Sequence, residues 1–334
     1  MVVNCGLIFL GFIVFTSAVP VDHVIAKLDP GLRYQYVGTP EGMQLVDLWL
    51  KTSDVLESAR FDPAGTIGFH LFTRSNLFVS QPLPLEVDSI LNASNFDRNK
   101  KTVILVHGWL NTPQSDFNVY LVNAYLTAED VNLIMVDWSV GAAGTYLSSL
   151  SNSIRSGELV ARFITWLNRV SGADLSRYHI IGHSLGGHQA GIIGRHLDGR
   201  VPYITSLDPA LPGWITNPES FRSTDGVYTE VIHTDAGTSG IITPSGDVDF
   251  YPNGGSSMPG CPDRSCSHHQ CIFYMAESLV LGGFTGRRCD NLNAALAGNC
   301  DSSDTLLMGG RTPKTWSTGI FYLTTNDAYP FSQG

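Results

Sequence analysis

The chain has 334 residues, of which 43% are hydrophobic, so it can bury a large core and is not a disordered chain. Its formal net charge is −10, from 20 Lys and Arg against 30 Asp and Glu. It contains no basic run or basic amphipathic stretch, and a nucleic-acid partner is therefore not expected.

The N-terminus carries an apolar block before the first charged side chain, Asp22. This block, GLIFLGFIVF, is too short to span a bilayer and is followed by the small residues TSA. The pattern predicts a secretory signal peptide over residues 1–18, although the usual Lys or Arg before the block is missing; an ordinary buried helix is the alternative. No later segment has the length and apolarity of a transmembrane helix, so we expect a secreted, extracellular protein.

The segment before residue 100 shows little regular patterning beyond a strand-like run at 68–74. It contains one glycosylation sequon, Asn92-Ala93-Ser94, in a polar stretch rich in turn-forming residues. We expect Asn92 to lie at the surface and to carry no chemistry.

From residue 101 to about residue 235, short apolar runs alternate with longer helical patterns. The strand candidates are residues 103–106, 133–136, 179–181, 203–207 and 228–232. Helical spacing of apolar residues is clearest at 156–170, and a further helix is predicted after His268, ending at Gly282 and Gly283. The alternation predicts an α/β fold around a mostly parallel sheet, in one domain over residues 19–334.

A glycine-packed turn follows the run at 179–181. Gly182-His183-Ser184-Leu185-Gly186 satisfies G-x-S-x-G, in which a serine occupies a strained turn from strand to helix. Side chains in place of the glycines would collide with the adjacent strand and helix. The pattern alone is weak in a chain with 34 glycines, but the predicted order of strand, turn and helix supports a nucleophilic Ser184.

A serine nucleophile needs a base, and the base needs an orienting carboxylate. Asp208 is the first acidic residue at a strand end after Ser184, although it could instead be a turn aspartate before Pro209. Ten histidines are present. Seven of them precede the acid in the chain, among them His107, His183 and His188, and His233 continues an apolar strand run. His268 and His269 remain, in a predicted loop, and the residues alone do not separate them.

The order of several further stretches carries a family resemblance. They are VILVHGW, LIMVDWS, IIGHSLGGHQAG, SLDPALPGW, VIHTDAG, DFYPNGG, CSHHQC with AES beyond it, and TGIFYLTTNDAYPF. In this order the chain resembles the pancreatic lipase family, and more narrowly its secreted insect members and phospholipases A1. The resemblance implies an α/β-hydrolase fold in a single domain, without the C-terminal β-sandwich that binds colipase in vertebrate lipases.

The resemblance also implies roles for individual residues. The nucleophile falls on Ser184 and the acid on Asp208. The base is the histidine two residues after a cysteine of the lid, which selects His268. The oxyanion hole is formed by the backbone N–H groups of Trp109 and Leu185.

Two features bear on substrate and cofactor. Only four residues separate Cys261 from Cys266, too few for the helical lid of triacylglycerol lipases. The resemblance therefore implies a permanently open site of the phospholipase A1 type, acting on a lipid at a membrane, micelle or droplet surface. No cofactor or metal is expected; calcium in particular is doubtful, because the vertebrate calcium site would fall at 218–226 and its acidic ligands cannot be assigned to particular residues there.

Two alternative functions are a triacylglycerol lipase that lacks a lid and a non-catalytic lipid-binding protein of the yolk type. The second would have lost its catalytic serine, whereas Ser184, Asp208 and His268 are all present. We therefore expect an ester hydrolase.

Five cysteines remain once Cys5 is removed with the signal peptide, and in an oxidising compartment they predict disulfides. A zinc site is the alternative, but C-x-x-C pairs are missing. The odd number and the family spacing together imply the bonds Cys261–Cys266 and Cys289–Cys300, with Cys271 left free.

Overall fold

The structure is a computed structural model that describes residues 33–334. The predicted signal peptide, residues 1–18, lies outside the described residues. The strands are β1 Tyr34–Thr39, β2 Gly42–Asp47, β3 Gly68–Phe72, β4 Gln81–Pro82, β5 Thr102–Val106, β6 Asn132–Asp137, β7 Tyr178–His183, β8 Tyr203–Leu207, β9 Thr229–Ile232, β10 Val248–Pro252, β11 Thr285–Cys289, β12 Thr305–Leu307 and β13 Gly319–Leu323.

The helices are α1 Thr52–Arg60, α2 Pro63–Thr66, α3 Asp88–Ala93, α4 Asp116–Ala128, α5 Ser139–Ala142, α6 Tyr146–Ser171, α7 Leu185–Arg195, α8 Arg264–Val280 and α9 Leu292–Ala297. None of these helices is long and apolar enough to cross a membrane. The longest, α6, begins after Thr145, whose side chain accepts a hydrogen bond from the N–H of Ser148, and ends at Gly172 in the left-handed conformation.

An 11-stranded sheet organises the molecule, in the order β12-β11-β13-β10-β9-β8-β7-β5-β6-β3-β4. The run from β13 to β6 is parallel throughout. Antiparallel strands flank it on both sides. The expected α/β architecture is confirmed.

The sheet is buried on both faces. Ile104 and Val106 of β5 face the core that α6 and α7 cover, whereas Val103 and Leu105 face the core that α4 and α8 cover. Parallel strands between two helical layers require apolar residues at consecutive positions, which is why these strands appear in the sequence as continuous apolar runs.

The register of the parallel strands places the candidate catalytic residues at one edge of the sheet. Val106 pairs with Gly182, and His183 pairs with Leu207. The carboxyl ends of β5, β7 and β8 therefore lie side by side, and the loops that follow them meet there.

Most predicted elements are confirmed, with strand ends shifted by one or two residues. The predicted strand 203–207 coincides with β8, and the predicted helix 156–170 is the second half of α6. Two expectations about local structure were wrong. The helix expected after His268 already begins at Arg264, and residues 34–47 form a separate antiparallel hairpin of β1 and β2.

Candidate active site

Ser184 occupies the turn between β7 and α7 with a positive φ of 57°. A Cβ on Gly182 would come within 1.8 Å of the carbonyl oxygen of Gly186, and a Cβ on Gly186 would come within 2.2 Å of that of Val106. Both obstacles are backbone atoms, which cannot rotate away. The glycines of the G-x-S-x-G pattern are thus needed to bring β7, the turn and β5 together.

Asp208 follows β8 directly and is fully buried. Its Oδ1 accepts hydrogen bonds from the backbone N–H groups of Thr234, at 2.8 Å, and Asp235, at 3.0 Å. Its Oδ2 lies 2.6 Å from Nδ1 of His268. The carboxylate is held by the loop after β9 and points its second oxygen at the imidazole.

The structure separates the two candidate histidines. His268 Nδ1 is bonded to Asp208, and its Nε2 is buried without a hydrogen-bond partner among the described residues. His269 instead bonds the carbonyl of Ser265 through Nδ1. Both lie in the second turn of α8 rather than in the expected loop. A buried imidazole nitrogen without a partner is costly and marks a position reserved for another group.

Ser184 and His268 meet at the same sheet edge but share no hydrogen bond within the described chain. His183, next to the serine, connects the two segments: its Nε2 lies 3.0 Å from the carbonyl oxygen of His268, and the two rings are 4.7 Å apart between centroids. Hydrogen bonds between nucleophile and base are often long in unliganded enzymes and tighten when substrate binds.

The two N–H groups predicted for the oxyanion hole, those of Trp109 and Leu185, have no acceptor. Within residues 33–334 neither donates a hydrogen bond to a protein group. Leu185 is the first residue of α7, where backbone N–H groups lack intrahelical partners. Such groups are suited to binding a developing negative charge.

Burial shifts the pKa values of the ionisable side chains at the site. It lowers the pKa of His268 well below the usual imidazole range, which keeps the ring neutral. Burial raises the pKa of Asp208 to about 6. A second buried carboxyl, Asp235, has its pKa raised to about 7 by burial and by repulsion from Asp208, and it forms an ion pair of 2.5 Å with Arg264.

Two groups of ionisable side chains are compared with metal sites. Asp208, Asp235 and His268 form a compact cluster among the described residues, but Asp208 bonds the imidazole and Asp235 pairs with Arg264. In the segment 218–226, Glu219 and Asp225 both pair with Arg195 at 3.0 Å. In this structure the guanidinium of Arg195 is the partner of both carboxylates.

The expectation of a permanently open site is wrong. Ser184 is 3% exposed, and His268 and Asp208 are fully buried. The hairpin Tyr34–Asp47 lies over His268: a Cβ on Gly38 would be 3.1 Å from the Cβ of His268. Neither this cover nor the buried Asp235 was predicted from the sequence, although Asp235 lies three residues after the predicted strand 228–232.

The cysteine expectations are confirmed. Disulfides join Cys261 to Cys266 and Cys289 to Cys300. Cys271 is free and buried. His233 also behaves as expected of a satisfied residue beside the sheet, because its ring bonds Asp249 and the carbonyl of Ile241.

Residues 48–331 match the profile of the family described as "Lipase". The chain belongs to this lipase family, a family of ester hydrolases. Its sheet and the turn at Ser184 accordingly form an α/β-hydrolase fold. Asn92, the predicted glycosylation site, is an exposed residue of α3 in this lipase fold.

Three curated lipases illustrate the similarity. The chain is 34% identical to pancreatic triacylglycerol lipase of Sus scrofa (79% of this chain, 67% of the relative). It is 33% identical to the Homo sapiens protein of the same name (79% and 64%). It is 34% identical to pancreatic lipase-related protein 2 of Cavia porcellus (70% and 56%). The match thus spans between about half and two thirds of the length of these relatives.

Proposed function

We propose that the protein hydrolyses carboxylic esters of lipids through an acyl-enzyme on Ser184. One observation supports this most strongly: His268 is bonded to Asp208 at 2.6 Å through Nδ1, while its Nε2 is buried and unpaired. This is the arrangement that a general base requires before it receives a proton from a serine hydroxyl.

In the proposed reaction, the Oγ of Ser184 attacks the ester carbonyl carbon while Nε2 of His268 takes the hydroxyl proton. Asp208 stabilises the imidazolium, and the N–H groups of Trp109 and Leu185 bind the oxyanion. The tetrahedral intermediate expels the alcohol, which receives the proton from His268. Water, deprotonated by the same imidazole, then releases the fatty acid and restores Ser184. Each step uses groups of this chain and needs no cofactor.

For the substrate we favour a phospholipid or another polar diacyl lipid, cleaved as by a phospholipase A1. The support is the short loop between Cys261 and Cys266, which is closed by a disulfide and merges with the first turn of α8. Such a loop cannot hold a lid helix over a wide apolar site. Triacylglycerol hydrolysis is the second candidate, because the similar proteins of Sus scrofa and Homo sapiens carry that name.

We further propose that the protein is secreted and works at a lipid surface without colipase. The two disulfides fit an oxidising compartment. The apolar block at residues 6–15 fits a signal peptide. Mass determination of the N-terminus after expression in a secreting cell checks cleavage near Ala18.

A fluorophosphonate probe tests the catalytic assignment. We expect it to label the wild-type protein and not Ser184→Ala, and we expect this variant to lose at least about 10⁴-fold in kcat on a soluble ester. Unchanged circular dichroism serves as the folding control. A folded wild-type protein that is neither labelled nor active would instead favour a lipid-carrying protein.

The substrate assignment needs a separate comparison. Phosphatidylcholine, a galactolipid and a triglyceride are offered to the purified protein, and the released acyl position is identified. We expect release from the first acyl position of the polar lipids. Preferential cleavage of the triglyceride would contradict the phospholipase assignment and leave the mechanism unchanged.

A further inference from the structure

The hairpin Tyr34–Asp47 closes the candidate active site from above. A Cβ on Gly38 would be 3.1 Å from the Cβ of His268, 3.2 Å from its Cδ2 and 3.1 Å from the Cα of Ser265. The backbone of β1 therefore lies against the imidazole of the proposed base. A side chain at this position would require the hairpin or α8 to move by a few tenths of an ångström.

Two buried hydrogen bonds hold the hairpin in this position. The N–H of Gly38 donates to the Oγ of Ser239 at 2.8 Å, and the Oγ of Ser265 donates to the carbonyl of Thr39 at 2.7 Å. The inward side chains Val37 and Val46 are buried in the same core as Trp109 and Leu185. The closed state is therefore a packed arrangement that excludes water from the catalytic groups.

Two grooves flank the hairpin, and neither reaches the nucleophile. One groove, of about 520 Å³, lies beside the turn of the hairpin, and a second, of about 450 Å³, lies beside β2. Ser184 lines neither groove. An acyl chain in either of these two grooves therefore does not contact Ser184.

The hairpin lies just before the part of the chain that matches the lipase family. The lipase match begins at residue 48, one residue after β2 ends. The hairpin is a sheet of two strands, separate from the main sheet, and such a pair is marginally stable by itself. It is therefore well suited to moving as a unit about the segment 48–51.

The outer face of the hairpin is apolar and exposed to solvent. Tyr36 and Leu45 are direct cross-strand partners and are 54% and 53% exposed. Tyr34 lies on the same face, and Trp49 follows the hairpin, each about half exposed. Aromatic side chains with polar edges favour the boundary between lipid and water. A net charge of −10 favours a neutral surface over an anionic one.

We propose that the hairpin Tyr34–Asp47 is a displaceable cover of the active site, and that its outer face binds a neutral lipid surface, which holds it open. This inference rests on the proposed function. In solution the hairpin shields Ser184 and His268. At a phosphatidylcholine surface, contacts of Tyr36 and Leu45 with lipid replace the contacts that hold the hairpin closed, and the ester gains access.

The rate of fluorophosphonate labelling reports the access to Ser184. We expect phosphatidylcholine vesicles to accelerate labelling of the wild type. Ser239→Ala/Ser265→Ala removes both closing hydrogen bonds and should label about tenfold faster than the wild type without vesicles. Ser278→Ala, which removes a buried hydroxyl bonded to the carbonyl of Met275 elsewhere on α8, is the matched control and should label at the wild-type rate.

Vesicle flotation in the Ser184→Ala background tests the lipid contact without turnover. Tyr36→Ser/Leu45→Ser should weaken binding to phosphatidylcholine vesicles by about fivefold or more. The control is Leu307→Ser/Tyr329→Ser, which removes residues that are 55% and 67% exposed elsewhere on the surface, and it should bind as Ser184→Ala alone does.

The outcomes distinguish the proposed cover from the proposed hydrolase function. Labelling at one rate in every variant, with or without vesicles, would overturn the cover and leave the hydrolase intact. Undiminished flotation of Tyr36→Ser/Leu45→Ser would overturn the lipid contact. A complete lack of labelling, even with both closing hydrogen bonds removed, would refute the proposed function and, with it, this inference.

Discussion

Backbone strain concentrates at individual residues of the candidate site. Of six described non-glycine residues with positive φ, three lie at the candidate site: Leu110, Ser184 and Asp208, at 56°, 57° and 41°. Each such conformation costs about 1–3 kcal/mol and persists only where the surroundings enforce it. Leu110 immediately follows Trp109, which has a proposed catalytic role, and Ser184 and Asp208 have proposed catalytic roles themselves. The strain positions polar atoms that an unstrained turn would aim elsewhere.

The pKa values of the site predict an acid limit of activity. The proposed mechanism needs an ionised Asp208 and a neutral His268, and both forms arise by loss of a proton. Because burial raises the pKa of Asp208 to about 6 and lowers that of His268, kcat/KM on a soluble ester should fall as the pH drops through about 6. Between pH 7 and 8 it should be flat.

The control for this profile is the rate of fluorophosphonate labelling, which has no ester leaving group to protonate. The labelling rate should show the same acid limit. A half-maximal rate near pH 8 would contradict a base whose pKa is lowered by burial.

Replacing a glycine of the G-x-S-x-G turn should have a large effect on stability. Gly182→Ala places a methyl group within 1.8 Å of a backbone oxygen, so the strand, the turn or the helix must shift. We expect a loss of at least about 3 kcal/mol in the free energy of unfolding, measured with urea, or failure to fold. Gly68→Ala, whose methyl group would meet only side-chain atoms at 3.0 Å or more, should cost less than about 1 kcal/mol.

At the scale of elements, the sequence predicts those helices, strands and turns that depend on the local pattern of residues. Continuous apolar runs predict the positions of β5 to β9. The glycines and the serine of the G-x-S-x-G pattern predict the turn after β7. The start of α8 was missed, although Asp263 is a typical N-cap and accepts a hydrogen bond from the N–H of Cys266. The hairpin could not be placed, because its contact with His268 depends on packing between segments more than two hundred residues apart.

The disulfide Cys261–Cys266 anchors the first turn of α8, two residues before His268. Cys261→Ser/Cys266→Ser should lower the free energy of unfolding by about 2 kcal/mol, as expected for a short closed loop. It should also reduce kcat, because the helix that carries the base loses its attachment.

The other disulfide provides the matched control for this prediction. Cys289→Ser/Cys300→Ser opens a somewhat longer loop, with a separation of 11 residues against 5, and should cost slightly more stability. These cysteines pack in a small separate cluster with Tyr251 and Ala295, so kcat should not change. Equal losses of kcat in both variants would indicate a general effect of destabilisation.

At the scale of the whole molecule, the parallel sheet fixes where the catalytic groups lie, and the segment before residue 48 determines whether they are accessible. Family membership and the order of the motifs could be predicted from the sequence because they depend on short runs of residues along one edge of the sheet. Accessibility could not, since the short Cys261–Cys266 loop suggested an open site while a different segment covers it. Access in this protein is therefore a property of the assembled fold and not of one loop.

Net charge predicts how the intact protein responds to different lipid surfaces. With a charge of −10, the protein is repelled by anionic membranes over roughly 10 Å at 0.1 M salt and over larger distances in weaker buffer. At low ionic strength, replacing part of the phosphatidylcholine in vesicles with phosphatidylglycerol should therefore reduce flotation of Ser184→Ala severalfold. Raising the salt should restore binding, because screening removes the repulsion while the contacts of Tyr36 and Leu45 with lipid persist. If anionic lipid strengthened binding instead, a local basic surface would have to outweigh the overall charge, and the choice of a neutral lipid surface would be wrong.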